Sequence, residues 1–276
     1  MQLAPTLSDY FLFRDVASTT QTQYRIAANQ FDQWNGGNDI DERRLSEYLK
    51  WYQSLGKSPN TVRHKRSILL ALLAFSGCPL SAARVRRLRR KPSIVDSWSP
   101  DEVEFLCRAA GRIPGIAGRL RTKKSAYTQC LIRLAFQTAL RRGDLIRVTV
   151  DQVHQGSWDM LQSKTNEYVD CEITAELRAQ ILAMPHVVDG AALAFAPWCQ
   201  WHADAVTNLT RKAMRIAWMD APDGCLKKLR RSSITEAERL QPGTGYLQAG
   251  HTSPIVTNQS YNDRSRLERK RPGRDE

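Results

Sequence analysis

"LKKLRRSSITEAERLQPGTGYLQAGHTSPIVTNQSY", from Leu226 to Tyr261, is the stretch on which the reading of this chain turns. Its first half is helical, and Lys227 and Arg230, three apart, share one turn of that helix. Its second half holds Gly250-His251 and, ten positions after the histidine, Tyr261. Ser253-Pro254 between them reads as the start of a short last helix, because proline is tolerated at the first helical position. Singly, each feature has an ordinary meaning. Two cations on a helix make a solvated face, a histidine beside glycine lies in a loop, and a late tyrosine packs.

The surrounding composition narrows the choice. The chain has 276 residues, enough for one large or two modest domains, with 42% apolar and 25% charged residues. Its 41 Lys and Arg against 28 Asp and Glu leave a formal charge of +13. Such a field attracts polyanions, nucleic acid above all. No run approaches the roughly 18 apolar residues of a membrane span. The opening MQLAPTLSDYFLF lacks a basic segment followed by an apolar one, so no secretory signal is expected and the expected location is cytoplasmic. Six cysteines and five histidines are scattered, without a CxxC pair or zinc-site spacing. No metal site and no cofactor are expected.

Residues 1–91 read as helices only and carry 15 Lys and Arg against 7 Asp and Glu, a surplus of +8. TTQTQYRIAANQFDQWN and IDERRLSEYLKWYQSLG place apolar side chains at helical spacing. SPNTVRHKRSILLALLAFSG starts with Ser58 as N-cap and Pro59 at the first helical position, with Arg63, Lys65 and Arg66 crowding its first two turns. RVRRLRRKP follows, adding Arg86, Arg87, Arg89 and Arg90. This run is either a solvated linker or a phosphate-binding one, and the two readings are compatible because neutralised phosphates release counterions. Ser99 and Glu102 form a capping-box pattern with Pro100 between them, so a second domain starts there, with the boundary between Pro92 and Trp98. SAYTQCLIRLAFQTAL is an apolar helix that stops at Arg141-Arg142-Gly143-Asp144. IRVTVDQV, WDMLQSK and YVDCEIT then read as three strands of a small antiparallel sheet, with Lys164 at the turn between the last two. The remainder returns to helix.

The order of these features matters more than any one of them. TALRRGDL, a hairpin lysine, KxLR, GHTSP and a tyrosine ten residues after the histidine together resemble the tyrosine recombinase (phage-integrase) family. The resemblance covers nearly the whole chain. It implies a mainly α fold with a small antiparallel β-sheet: a helical, DNA-clamping core-binding domain over 1–92, a linker over 93–98, and an α+β catalytic domain with a C-terminal tail over 99–276. SPNTVRHKRSILLALLAF looks like the last clamping helix, so Arg63, Lys65, Arg66 and the 86–90 arginines are expected on DNA.

By the same resemblance Arg141 and Arg230 grip the scissile phosphate, Lys164 protonates the leaving 5′-oxygen, His251 adds a hydrogen bond, and Tyr261 is the nucleophile. Asp144 takes the place of a supporting acid. Lys227 stands where the family usually has histidine. It can donate to a phosphate oxygen, but an ammonium ordinarily ionising near pH 10.4 is a poor base. The partner implied is double-stranded DNA, bound by a homotetramer on paired sites, with residues 262–276 after Tyr261 as either an exchanged segment or a disordered phosphate-binding tail. Type IB topoisomerase activity and a non-catalytic DNA-binding protein on a recombinase scaffold stay open as alternatives.

The residue types suit the chemistry. Attack on a phosphodiester raises negative charge on its equatorial oxygens. No carboxylate cluster suggests metal ions, so fixed cations must carry that charge. Arginine keeps its charge and donates two parallel hydrogen bonds from one planar fork. A phenol ordinarily ionises near pH 10, and neighbouring cations favour the phenolate.

Overall fold

The computed structural model describes residues 2–89, 95–117, 122–185, 205–222, 224–250, 254–263 and 265–267. The chain divides into two units, Met1–Ser93 and Ile94–Glu276.

The first unit contains helices α1 (Thr6–Phe13), α2 (Ser18–Asn35), α3 (Glu42–Ser54) and α4 (Pro59–Phe75). Their ends follow local chemistry. Gly36 takes the left-handed conformation (φ 61°) that closes α2, and the Asp41 carboxylate accepts the Arg44 N–H to open α3. Ser58 caps α4 ahead of Pro59. The core is aromatic: Tyr48 meets Phe31 edge to face with centroids 5.1 Å apart and Trp34 at 5.3 Å.

Lys65 departs from expectation. It lies on the buried stripe of α4, three residues after Val62 and four before Leu69, and is 7% exposed. Its Nζ donates to Gln30 Oε1 (2.7 Å) and sits 5.0 Å from the Tyr52 ring centre. Burial pushes its pKa down. The stem packs and the head is already bonded within the first unit. Arg66 is also engaged: its Nη2 donates to the Ala82 carbonyl at 2.5 Å, tying α4 to the following turn. Arg86 donates to Gln53 Oε1 (2.8 Å). Arg63, Arg87 and Arg89 are exposed, whereas Arg90 lies outside the described residues.

The second unit opens with α5 (Pro100–Ala110), whose Ser99 and Glu102 form the expected reciprocal capping box. A short β1–β2 ladder (Ile116–Ala117, Thr122–Lys123) leads into α6 (Lys124–Thr138). Next come α7 (Arg142–Leu145), α8 (Val150–Gln155), strands β3 (Ser157–Leu161) and β4 (Tyr168–Glu172), and α9 (Ala175–Leu182). The last described elements are α10 (Ala205–Ala217), α11 (Cys225–Leu240), α12 (Gly245–Gln248) and α13 (Pro254–Ser260). Helix α6 is central: Tyr127, Leu131, Leu134 and Ala135 are buried among residues of α5, α10 and α11. A mainly helical chain with small antiparallel ladders is what the sequence predicts.

Two of the expected three strands exist. β3 and β4 pair antiparallel from Ser157↔Glu172 to Leu161↔Tyr168, with Trp158, Met160, Val169 and Cys171 turned inward. IRVTVDQV is not the third. Thr149 and Gln152 form a capping box that starts α8, and Gly156 (φ 79°) ends it. The β-branched run Val148-Thr149-Val150 favours a strand, but its caps prevail. Ser97 and Trp98, assigned to the linker, are instead buried in the second unit, Trp98 within its core. Among the described residues no helix is long and apolar enough to cross a membrane.

Candidate active site

Arg230 organises the site. It sits on α11 with Ile234 one turn later, and both are buried. Its Nη2 donates to the Ala249 carbonyl (2.7 Å) and its Nη1 to the Ala139 carbonyl. Those two carbonyls belong to the segments that carry the other candidates. Ala139, left-handed at φ 50°, ends α6 and turns the chain so that Arg141 occupies the N-cap position of α7 rather than the end of a helix. Ala249 directly precedes Gly250-His251.

The Arg230 guanidinium lies 5.3 Å from the centre of the Tyr261 ring. Burial pushes its pKa down to about 10, and the charge of Arg141 adds to the shift, against the opposing influence of Tyr261 and Asp144. It therefore remains a cation at neutral pH, and Arg141 is close enough to repel it. Arg230 Nε and Arg141 Nη1 are both buried without an acceptor among the described residues. Buried donors are seldom left so, since each costs about 1–3 kcal/mol. Two like charges held together with donors to spare form a receptor for an anion with several oxygens.

The hairpin lysine is placed by its base. Gln162, at the end of β3, is fully buried and donates Nε2 to the Ala249 carbonyl (3.0 Å). The next backbone N–H, of Ser163, donates to Asp144 Oδ1 (2.9 Å), and Asp144 is itself buried. Asp144 thus holds the hairpin, and its carboxylate also pairs with Arg147 (3.5 Å). Lys164 follows in the turn, exposed. Lys227 is exposed on α11, a different setting from the buried Arg230. His251 lies outside the described residues. The structure thus brings together Arg141, Arg230 and Tyr261, and fastens the Lys164 hairpin to the same two backbone segments.

Gly250 shows how tight this junction is. It has φ +58°, and a Cβ there falls 2.5 Å from Gln162 Nε2 and 3.1 Å from Val169 Cβ. Gly250→Ala is expected to lower the unfolding free energy by about 1–3 kcal/mol through strain and overpacking. Urea unfolding checks this, and a variant as stable as the parent contradicts the packing described.

Against known proteins, no family model and no curated protein matches the chain. Solved structures do. A lambda integrase (75–356) dimer bound to a COC′ core site matches at 17% identity and TM-score 0.73, over 100% of both chains. This chain has the fold of lambda integrase. A lambda integrase tetramer bound to a Holliday junction matches at 16% identity and TM-score 0.71, over 98% of this chain and 79% of that one. XerH site-specific recombinase bound to a palindromic difH substrate, a post-cleavage complex, matches at 15% and 0.65, over 92% and 79%.

Several contributors were not singled out in the sequence. Gln162, Ala139 and Ala249 act through long-range contacts that leave no local pattern. A signal for Gln162 did exist: it falls on the inward side of the β3 alternation, after Trp158 and Met160, where an apolar residue is the rule.

Proposed function

We propose that the protein is a tyrosine recombinase, a site-specific enzyme that cuts and rejoins DNA strands through a covalent 3′-phosphotyrosine. The observation that carries this reading is the pairing of a buried guanidinium with the Tyr261 side chain, with Arg141 close by. A partly buried tyrosine needs no second cation for packing. A phenol that must ionise and attack an anion needs both.

In this reading the Arg141 and Arg230 forks hold the two non-bridging oxygens of one phosphate, and His251 adds a donor. The phenol of Tyr261 loses its proton, its oxygen bonds to phosphorus, and the bond from phosphorus to the 5′-oxygen breaks. Lys164 delivers a proton to that oxygen, giving a free 5′-hydroxyl. The charge on the equatorial oxygens rises as the new bond forms, so preplaced donors stabilise the transition state more than the ground state. A 5′-hydroxyl from a second duplex then reverses the steps, and the ester bond energy is conserved without a nucleotide cofactor. Lys227 serves as a phosphate donor in the position commonly held by histidine.

The partner is double-stranded DNA. Arg63, Arg87 and Arg89 supply exposed charge on the first unit for its backbone. The assembly is a homotetramer on paired sites, a reading supported by the lambda integrase tetramer on a Holliday junction. The test is a nicked suicide substrate carrying the cognate site, from which the cut fragment diffuses away. A denaturant-resistant protein–DNA adduct with a 5′-hydroxyl on the released piece is expected. Tight, specific binding with intact strands would instead identify a non-catalytic DNA-binding protein.

A further inference from the structure

The backbone that follows Tyr261 is fixed from an unexpected direction. Asp263 is 5% exposed, yet it faces a ring of donors. Its Oδ2 accepts the Ser97 N–H (2.9 Å) and the Ser97 hydroxyl (3.0 Å), across 166 residues of sequence. Its Oδ1 accepts the Ser265 N–H (3.0 Å) and hydroxyl (2.6 Å). Its own N–H donates to Thr235 Oγ1 (3.1 Å), and that hydroxyl donates in turn to the Tyr261 carbonyl (3.3 Å). Arg266 Nε lies 3.8 Å from Oδ2 and supplies the nearby positive charge.

Ser97 belongs to the strip by which the chain enters the second unit, and that strip is bound along α11. Asp96 pairs with Lys228, whose Nζ lies 4.9 Å from the Trp98 ring centre. The Trp98 N–H donates to Ser232 Oγ (2.7 Å). Lys228 and Ser232 are one turn apart on one face of α11, whereas Arg230 and Ile234 face Ala139, Ala249 and Tyr261. One helix therefore holds the entering strip on one side and the reactive pocket on the other, and Asp263 links the two.

We propose that Asp263 is a positioning residue: it fastens the entering strip at Ser97 to the backbone immediately after Tyr261 and so keeps the phenol beside the Arg230 of its own chain. This rests on the reading of Tyr261 as nucleophile. Asp263 touches no substrate atom. Its effect is on how often the phenol is in place, so it bears on the rate of the chemical step and little on the affinity for DNA. The link also makes the strip that follows the first unit a lever on the tyrosine, through which movement at residues 95–98 reaches the site.

The test compares Ser97→Ala, Asp263→Ala and the double variant on the suicide substrate, with thermal melting to confirm that each folds. At saturating DNA, Asp263→Ala is expected to form adduct roughly 10- to 100-fold more slowly, the scale on which small misplacements of a reacting group act. Its affinity for the substrate should stay within about threefold. Ser97→Ala, which keeps the backbone donor, should fall between it and the parent, and the double variant should be no slower than Asp263→Ala alone. Fully additive effects, or a parent-like rate in Asp263→Ala, overturn the proposal. Amide exchange in a peptide spanning residues 254–263 gives a readout free of catalysis. It should quicken in both Ser97→Ala and Asp263→Ala, and unchanged exchange in either overturns the link. A parent protein that forms no adduct refutes the nucleophile reading, while the exchange result still decides whether Asp263 holds this segment.

Discussion

Arg230→Ala is expected to slow strand cleavage about 10²- to 10³-fold, the scale of a lost transition-state donor worth roughly 3–4 kcal/mol. The side chain does two things at once. It presents charge beside Tyr261, and it ties the Ala139 and Ala249 carbonyls to α11. Alanine removes the charge, strips the Ala139 carbonyl of its side-chain donor and leaves the Ala249 carbonyl to Gln162 alone, so the melting temperature should fall as well. Arg230→Lys separates the two effects. Lysine retains a positive charge but lacks the planar fork, and it cannot reach both carbonyls and a phosphate together. It should recover part of the stability and little of the cleavage. Cleavage within tenfold of the parent in Arg230→Ala, on a folded protein, contradicts the proposed role.

The second large effect belongs to Tyr261. Tyr261→Phe preserves the ring against Arg230 and deletes one oxygen. The fold should change little, with a melting temperature close to the parent's, and DNA affinity should be retained, because the arginines proposed to hold phosphate are intact. Adduct formation should vanish to the limit of detection, since no other group supplies the lost bond to phosphorus. Tyr246→Phe is the matched control. Tyr246 lies in α12, before the Gly250-His251 pair, and its loss should leave adduct formation unaltered. Adduct from Tyr261→Phe, or its disappearance from Tyr246→Phe alone, would relocate the nucleophile.

What could be read from the sequence was local. Ser58-Pro59 and Ser99-Pro100-Asp101-Glu102 announce helix starts because capping needs only a few neighbouring residues, and both caps formed. The Trp158/Met160 and Val169/Cys171 alternation announces a hairpin for the same reason. The region Val148–Val150 misled because branching at Cβ and a capping box compete within three residues, and the cap prevailed. The burial of Lys65 escaped notice for a different reason. Counting cations in the first turns of α4 ignores which of them fall on the helical stripe, and the step from Val62 to Leu69 passes through it.

The site was legible as an ordered set of residue types, and that order led to the tyrosine recombinase resemblance. What the order omits is the framework. Gln162 meets Ala249 across 87 residues, Ser97 meets Asp263 across 166, and Arg230 meets Ala139 across 91. No pattern along the chain encodes such separations. They arise because α11 and the β3–β4 hairpin converge on the same two backbone carbonyl segments, which is a property of the folded unit. Local rules pick out the candidate groups, and the buried hydrogen bonds around them become visible only in three dimensions.

The account stands most directly on where DNA becomes attached. Trapping the parent protein on a suicide substrate, digesting the complex with protease and nuclease, and sequencing the nucleotide-bearing peptide by mass spectrometry locates the bond. A nucleotide 3′-phosphate on the oxygen of Tyr261, in a peptide of the 254–263 region, is the predicted result. Cut strands whose attached nucleotide maps to another side chain, or to none, would contradict the account.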